Sequence, residues 1–152
     1  MDPRTDTRIA EICTLLKAGA PVGWNRVTLD VWANVLAYEL AASAKTAEGR
    51  FAGEVRLADL TERLQDLRQE MYEEDRGAWL SARFVLHREA EPEVSFNYDE
   101  NPHWSPDLHP MMFVRDLEAF PRADEQVPDW LREMVERGLE LQREHEASPA
   151  DQ

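Results

Sequence analysis

Apolar residues first recur at helical spacing. Ile9, Ile12, Leu15 and Leu16 fall on one stripe and predict a helix from Thr5 to Ala18, with Thr5 or Asp6 able to cap its start and Gly19 and Pro21 ending it. The next run, Asn25 to Lys45, supports two readings. Val27, Leu29 and Val31 alternate as in a strand, yet the stretch is also rich enough in Ala and Leu to wind as one helix. Ala47-Glu48-Gly49-Arg50 is a polar turn. Leu57, Leu60, Leu64, Leu67 and Met71 then define a narrow helical stripe, with Asp59 and Glu62 at capping-box spacing. Two heptads fall short of a coiled-coil seam, so the helix is expected to pack on its own sheet.

After Gly77 the period changes to two. Leu80, Ala82, Phe84 and Leu86 alternate with Ser81, Arg83, Val85 and His87, and Val94, Phe96 and Tyr98 alternate with Ser95, Asn97 and Asp99. A hairpin across Arg88 to Glu93 joins the two. Asn101-Pro102 stops pairing, Pro106 and Pro110 keep the chain irregular, and Asp99, Glu100, His103 and Trp104 are held together on a stiff loop. Pro128 suits the first turn of a last helix, striped by Leu131, Met134, Val135, Gly138 and Leu141, with an acidic row of Glu136, Glu140 and Glu144 on another face. Phe120 and Trp130, beside prolines, are expected to fasten this helix to the sheet.

Charge narrows the partners. The 152 residues carry 31 acidic and 17 basic side chains, a net charge of −14. That balance disfavours nucleic acid, whose phosphates require Lys and Arg, and favours a basic partner attracted over long range. A chain of this length buries about 70% of its unfolded surface, enough for one core. We expect a single domain over 1–146 and a disordered tail over 147–152. No window is apolar enough for a membrane span and the N-terminus lacks an apolar signal core, so a cytoplasmic location without membrane contact is expected. The lone Cys13, in an apolar helical pattern, reads as a buried thiol.

Candidate chemistry is sparse. No nucleophile, base and orienter stand in a recognisable pattern, and there is no phosphate-binding glycine loop, so no catalytic residue and no cofactor are assigned. Asp99, His103 and His109 are the best metal set, but they lack helical HxxxH spacing and a cysteine partner, and no metal is assigned. Trp79 reads either as an aromatic anchor for a partner or as a residue packed under a terminal helix. His103 and Trp104 read either as partner contacts or as a solvated loop residue and a lid over the sheet edge.

Four segments carry a resemblance: Leu67-Arg68-Gln69-Glu70-Met71-Tyr72, Gly77-Ala78-Trp79-Leu80-Ser81-Ala82-Arg83-Phe84, FNYDENPHW from Phe96 to Trp104, and Leu117-Glu118-Ala119-Phe120-Pro121-Arg122. In this order they resemble the YezG-like immunity proteins of bacterial polymorphic toxin systems, over roughly Gly23 to Leu131. The resemblance implies a small protein that neutralises a toxin without chemistry of its own. It also decides for two strands across Asn25 to Lys45, turning near Ala33-Asn34.

The resulting expectation is an α+β fold: a mainly antiparallel sheet of about four to six strands, with an N-terminal helix, an inserted helix and a C-terminal helix packed on it. The partner is expected to be a cognate toxin domain, a basic nuclease or another cytotoxic enzyme. It would be met by Glu73, Glu74, Asp75, Trp79, Asp99, Glu100, His103 and Trp104. An acidic secretion chaperone or adaptor, or an enzyme with an unrecognised site, are the alternatives.

Overall fold

The computed structural model describes residues 3–147. The fold is α+β. Helix α1 (Pro3–Gly19) leads into strands β1 (Arg26–Asn34), β2 (Ala37–Lys45) and β3 (Phe51–Gly53), then helix α2 (Leu60–Met71), strands β4 (Ser81–His87) and β5 (Glu93–Asn97), and helices α3 (Pro110–Ala119) and α4 (Asp129–Ala147). The strands form one antiparallel sheet in the order β3-β2-β1-β4-β5.

Register follows the alternation. Leu29 lies opposite Ala42 on one side and Phe84 on the other, and Val27 opposite Ala44 and Leu86. All six residues except the half-buried Ala42 are fully buried, because one sheet face is covered by Ile12, Cys13 and Leu16 of α1 and by Leu60, Leu64 and Leu67 of α2. Slipping β1 by one residue would send Val27, Leu29 and Val31 to the opposite face, so burial locks the pairing. That opposite face carries Asp30 and Arg83, paired at 2.6 Å. Across the helical layer, Arg8 of α1 meets Glu70 of α2 at 2.8 Å.

Asn25 to Lys45 is indeed two strands, turning at Val35-Leu36, slightly beyond the expected Ala33-Asn34. The α1 helix extends past both proposed caps, so Thr5 is a buried residue within it. The capping box at Asp59 does not form: Asp59 adopts φ 65° and its side chain bonds no backbone N–H. The α2 stripe begins at Leu60, while Leu57 packs from the preceding turn.

Helix α3 was not anticipated. Pro106 and Pro110 read as breakers, but Pro110 occupies the start of a helix, where no N–H is needed, and His109 Nδ1 accepts the Met111 N–H at 3.0 Å as a cap. Helix α4 packs chiefly on α3, and a second apolar cluster of Trp104, Phe113 and Leu131 meets the end of the sheet through Trp32 and Ala37. Ala147, expected to open the tail, is still helical; 148–152 lie outside the described residues.

A buried ion pair ties these layers together. Arg68 of α2 donates from Nη1 and Nη2 to the two oxygens of Asp116 on α3 at 2.7 and 2.8 Å, and from Nε to the Trp79 carbonyl at 2.7 Å. Asp116 also accepts the Val35 N–H of the β1–β2 turn at 2.7 Å. Each of the three Arg68 nitrogens has an acceptor, which is the condition for tolerating charge in an interior.

Candidate functional site

Three loops converge beside this pair. The first closes right after α2: Glu73 and Gly77 exchange backbone hydrogen bonds at 3.2 and 2.7 Å, which pushes Glu74, Asp75 and Arg76 outward. Gly77 has φ +89°, and a Cβ there would lie 2.5 Å from Arg122 Cγ. Only glycine fits both constraints.

The second loop follows β5. Asn97 Oδ1 accepts the N–H groups of Asp99 and Glu100 at 3.2 and 2.9 Å, while its Nδ2 donates to Ser81 Oγ and the Glu100 carbonyl at 3.0 and 2.9 Å. One side chain therefore shapes the turn that presents both carboxylates. Beyond it, Asn101 Oδ1 accepts the His103 N–H at 2.9 Å, and Trp32 Nε1 donates to the Pro102 carbonyl at 2.8 Å.

The third loop brings Arg122, and this residue joins the other two. Its side chain is only 1% exposed. Nη2 donates to the carbonyls of Ala78 and Tyr98, and Nη1 to the Gln126 carbonyl at 3.2 Å and Asp99 Oδ1 at 3.3 Å. Burial pulls the guanidinium below its ordinary pKa, and the Asp99 charge raises it again. Around this centre, the Ala123 N–H bonds the Asp75 carbonyl at 2.9 Å, Tyr72 Oη donates to the Pro121 carbonyl at 2.7 Å, and Trp130 Nε1 donates to the Asp99 carbonyl at 2.8 Å. The Arg76 guanidinium lies 3.6 Å from the centre of the Tyr98 ring, a cation–π contact across the first two loops.

The outcome is one acidic surface. Glu73, Glu74, Asp75, Asp99 and Glu100 are all exposed and outnumber Arg76 and Arg122. Asp99 differs from the rest, because its pairing with Arg122 gives it a structural task as well as a surface charge. His103 is exposed in a left-handed conformation with φ 54°, and its ring has no hydrogen bond or ion pair among the described residues.

The two tryptophans are corrections. Trp79 is 0% exposed, with its ring centroid 5.5 Å from that of Phe96, and cannot anchor a partner. Residue 79 precedes β4, which begins only at Ser81, so its burial is not set by the strand alternation. Trp104 is buried with Phe113 and Leu131, holding its loop to α3 and α4 instead of facing outward. Phe120 and Trp130 were expected to fasten the last helix to the sheet; instead Phe120 ends α3 and packs on Tyr72 and under Arg68 of α2, and Trp130 of α4 lies edge-on to Phe113 of α3.

Among the described residues no three of His, Cys, Asp or Glu are grouped to hold a metal ion, and no helix is long and apolar enough to cross a membrane. Cys13 is buried with its pKa raised by that burial, the opposite of an activated thiolate. The reading from sequence placed Arg122, Asn97 and Arg76 in no functional role, although Arg122 closes one of the resembling segments. Neither a scan against protein-family models nor a search of curated proteins finds a match to this chain.

Proposed function

We propose that this is an immunity protein, which binds a cognate secreted bacterial toxin in the cytoplasm and neutralises it by stoichiometric occlusion. One observation carries the reading. The four segments that resemble YezG-like immunity proteins meet around Pro121 and Arg122: Tyr72, which closes the first, bonds the Pro121 carbonyl, and Gly77 and Ala78 of the second and Tyr98 and Asp99 of the third lie against Arg122, which ends the fourth. The surface around this junction is acidic, with Asp99 and Glu100 from the third segment and Glu73, Glu74 and Asp75 from the loop between the first two, and it is held in place before any partner arrives. Preorganisation lowers the ordering cost of association, and a negative patch on a chain of charge −14 speeds encounter with a basic partner.

Titration of a purified cognate toxin domain tests the proposal. Its activity should fall linearly and vanish at one equivalent of the protein, with a dissociation constant of about nanomolar or tighter. Tight binding that leaves toxin activity intact points instead to a secretion adaptor and overturns the immunity reading.

A further inference from the structure

The sheet ends differently at its two edges. Strand β3 is 3 residues long and its register with β2 shifts between Ala44 and Lys45, two features that blunt an edge. Strand β5 has neither: Glu93–Asn97 pairs with β4 in unbroken register and contains no proline, and β4 is its only neighbouring strand. Which of its backbone groups face outward follows from alternation along β4. The Ala33 N–H bonds the Leu80 carbonyl, so Leu80, Ala82 and Phe84 turn their backbone groups to β1, and Ser81, Arg83 and Val85 turn theirs to β5, opposite Asn97, Ser95 and Glu93. Val94 and Phe96 are left with N–H and C=O directed away from the sheet. Among the described residues no turn or loop backbone bonds either of them.

Charge decides what can pair there. From Glu89 to Glu100 the chain carries five carboxylates, Glu89, Glu91, Glu93, Asp99 and Glu100, and no Lys or Arg. All five are exposed, three leading into the strand and two just past its end. Glu93 meets His87 at 2.8 Å and Asp99 meets Arg122 at 3.3 Å, whereas the side chains of Glu89, Glu91 and Glu100 have no hydrogen bond or ion pair among the described residues. Arg88, next in the chain, is turned back onto Trp24, its Nε donating to the Trp24 carbonyl at 2.9 Å. A second copy of this chain laying β5 against β5 would bring like charges together in either strand direction. A guard of one sign thus repels its own copy and admits a segment of the opposite sign.

We propose that the free edge of β5 takes up an extended, Lys- or Arg-bearing segment of the toxin as a sixth strand, its backbone bonded to Val94 and Phe96 and its basic side chains met by the carboxylates at either end. This rests on the immunity reading and deepens it, because β5 runs directly into the turn that presents Asp99 and Glu100. Main-chain pairing supplies affinity in such an arrangement, and the flanking charges choose the segment.

Amide hydrogen exchange of the full chain, free and with a purified cognate toxin domain, tests this when read beside toxin inhibition. Exchange at Val94 and Phe96 should slow about tenfold or more on binding, whereas Glu93 and Ser95, already paired to β4, are slow from the start. Val94→Pro removes an outward N–H at an edge position that tolerates proline, and Val94→Ala truncates the same side chain and keeps the N–H. The proline variant should bind the toxin about tenfold more weakly than the alanine variant. Inhibition with unchanged exchange at both amides, or equal affinity of the two variants, would overturn the edge proposal and leave the immunity reading standing. Slowed exchange at both amides without inhibition would support the edge and overturn the immunity reading. Absence of toxin binding would overturn both. Protection of Val94 and Phe96 in the free chain that disappears on dilution would put a second copy on the edge and overturn the proposal.

Discussion

Arg122→Met isolates the contribution of the central clamp, because methionine keeps an unbranched stem against Gly77 and deletes every donor. Three carbonyls lose a charged partner: Ala78 and Tyr98, which are partly buried, and Gln126, which is exposed and recovers water. Bonds from a charged donor contribute about 1.5–3 kcal/mol each, with the low end fitting loops this close to solvent. The two partly buried bonds thus sum to about 3 kcal/mol. Asp99 adds little, being 60% exposed, since such pairs contribute about 0–1 kcal/mol. Against this stands relief of the burial that lowers the guanidinium pKa. The net expectation is a loss of about 2–4 kcal/mol in urea unfolding at pH 7. Amide exchange in residues 73–77 and 97–100 should speed up together, because both loops hang on the same side chain. A loss below about 1 kcal/mol, or loops whose exchange is unchanged, would refute the clamp.

Two further outcomes follow from buried groups. Asp116→Ala strands the Arg68 guanidinium, 1% exposed, and should cost about 3–5 kcal/mol in urea unfolding; Asp116→Asn, which retains an acceptor for the Val35 N–H, should fall between it and the native chain. Burial pushes the Tyr38 hydroxyl from its ordinary 10.0 up to about 12, so the folded state holds a proton that the unfolded chain has released. That contribution is complete below pH 10.0 and is lost as pH rises toward about 12, and Tyr38→Phe should flatten this part of a stability–pH profile.

Most of the sheet was legible because one-sided burial writes itself into the sequence: the alternation from Leu80 to Leu86 and from Val94 to Tyr98 marks β4 and β5 within a residue or two. Strand β3 is only 3 residues long and offers no period to detect. Helix α3 was hidden by chemistry that reads two ways, since proline stops a helix in its interior and starts one at its first position. The acidic residues of the site were legible as types, and their exposure agrees with the expectation. What joins them was not. Arg122 is one arginine after a proline until Ala78, Tyr98 and Gln126, from three separate places in the chain, present carbonyls to it. Trp79 shows the converse, a residue of a hot-spot type that proves to be core.

The central claim is that the acidic loops meet the toxin, and it is tested most directly by the affinity of Glu74→Lys with Glu100→Lys for the cognate toxin domain. Both side chains are exposed, and their contacts within the fold run through backbone atoms alone, so the melting temperature should stay within about 2 °C of the native value. If these carboxylates meet basic groups in a desolvated interface, the pair of reversals should cost about 3 kcal/mol or more, at least a hundredfold in dissociation constant. Glu136→Lys with Glu140→Lys on α4 controls for net charge and should change affinity far less. A loop double reversal that binds and inhibits as the native protein does would contradict the account.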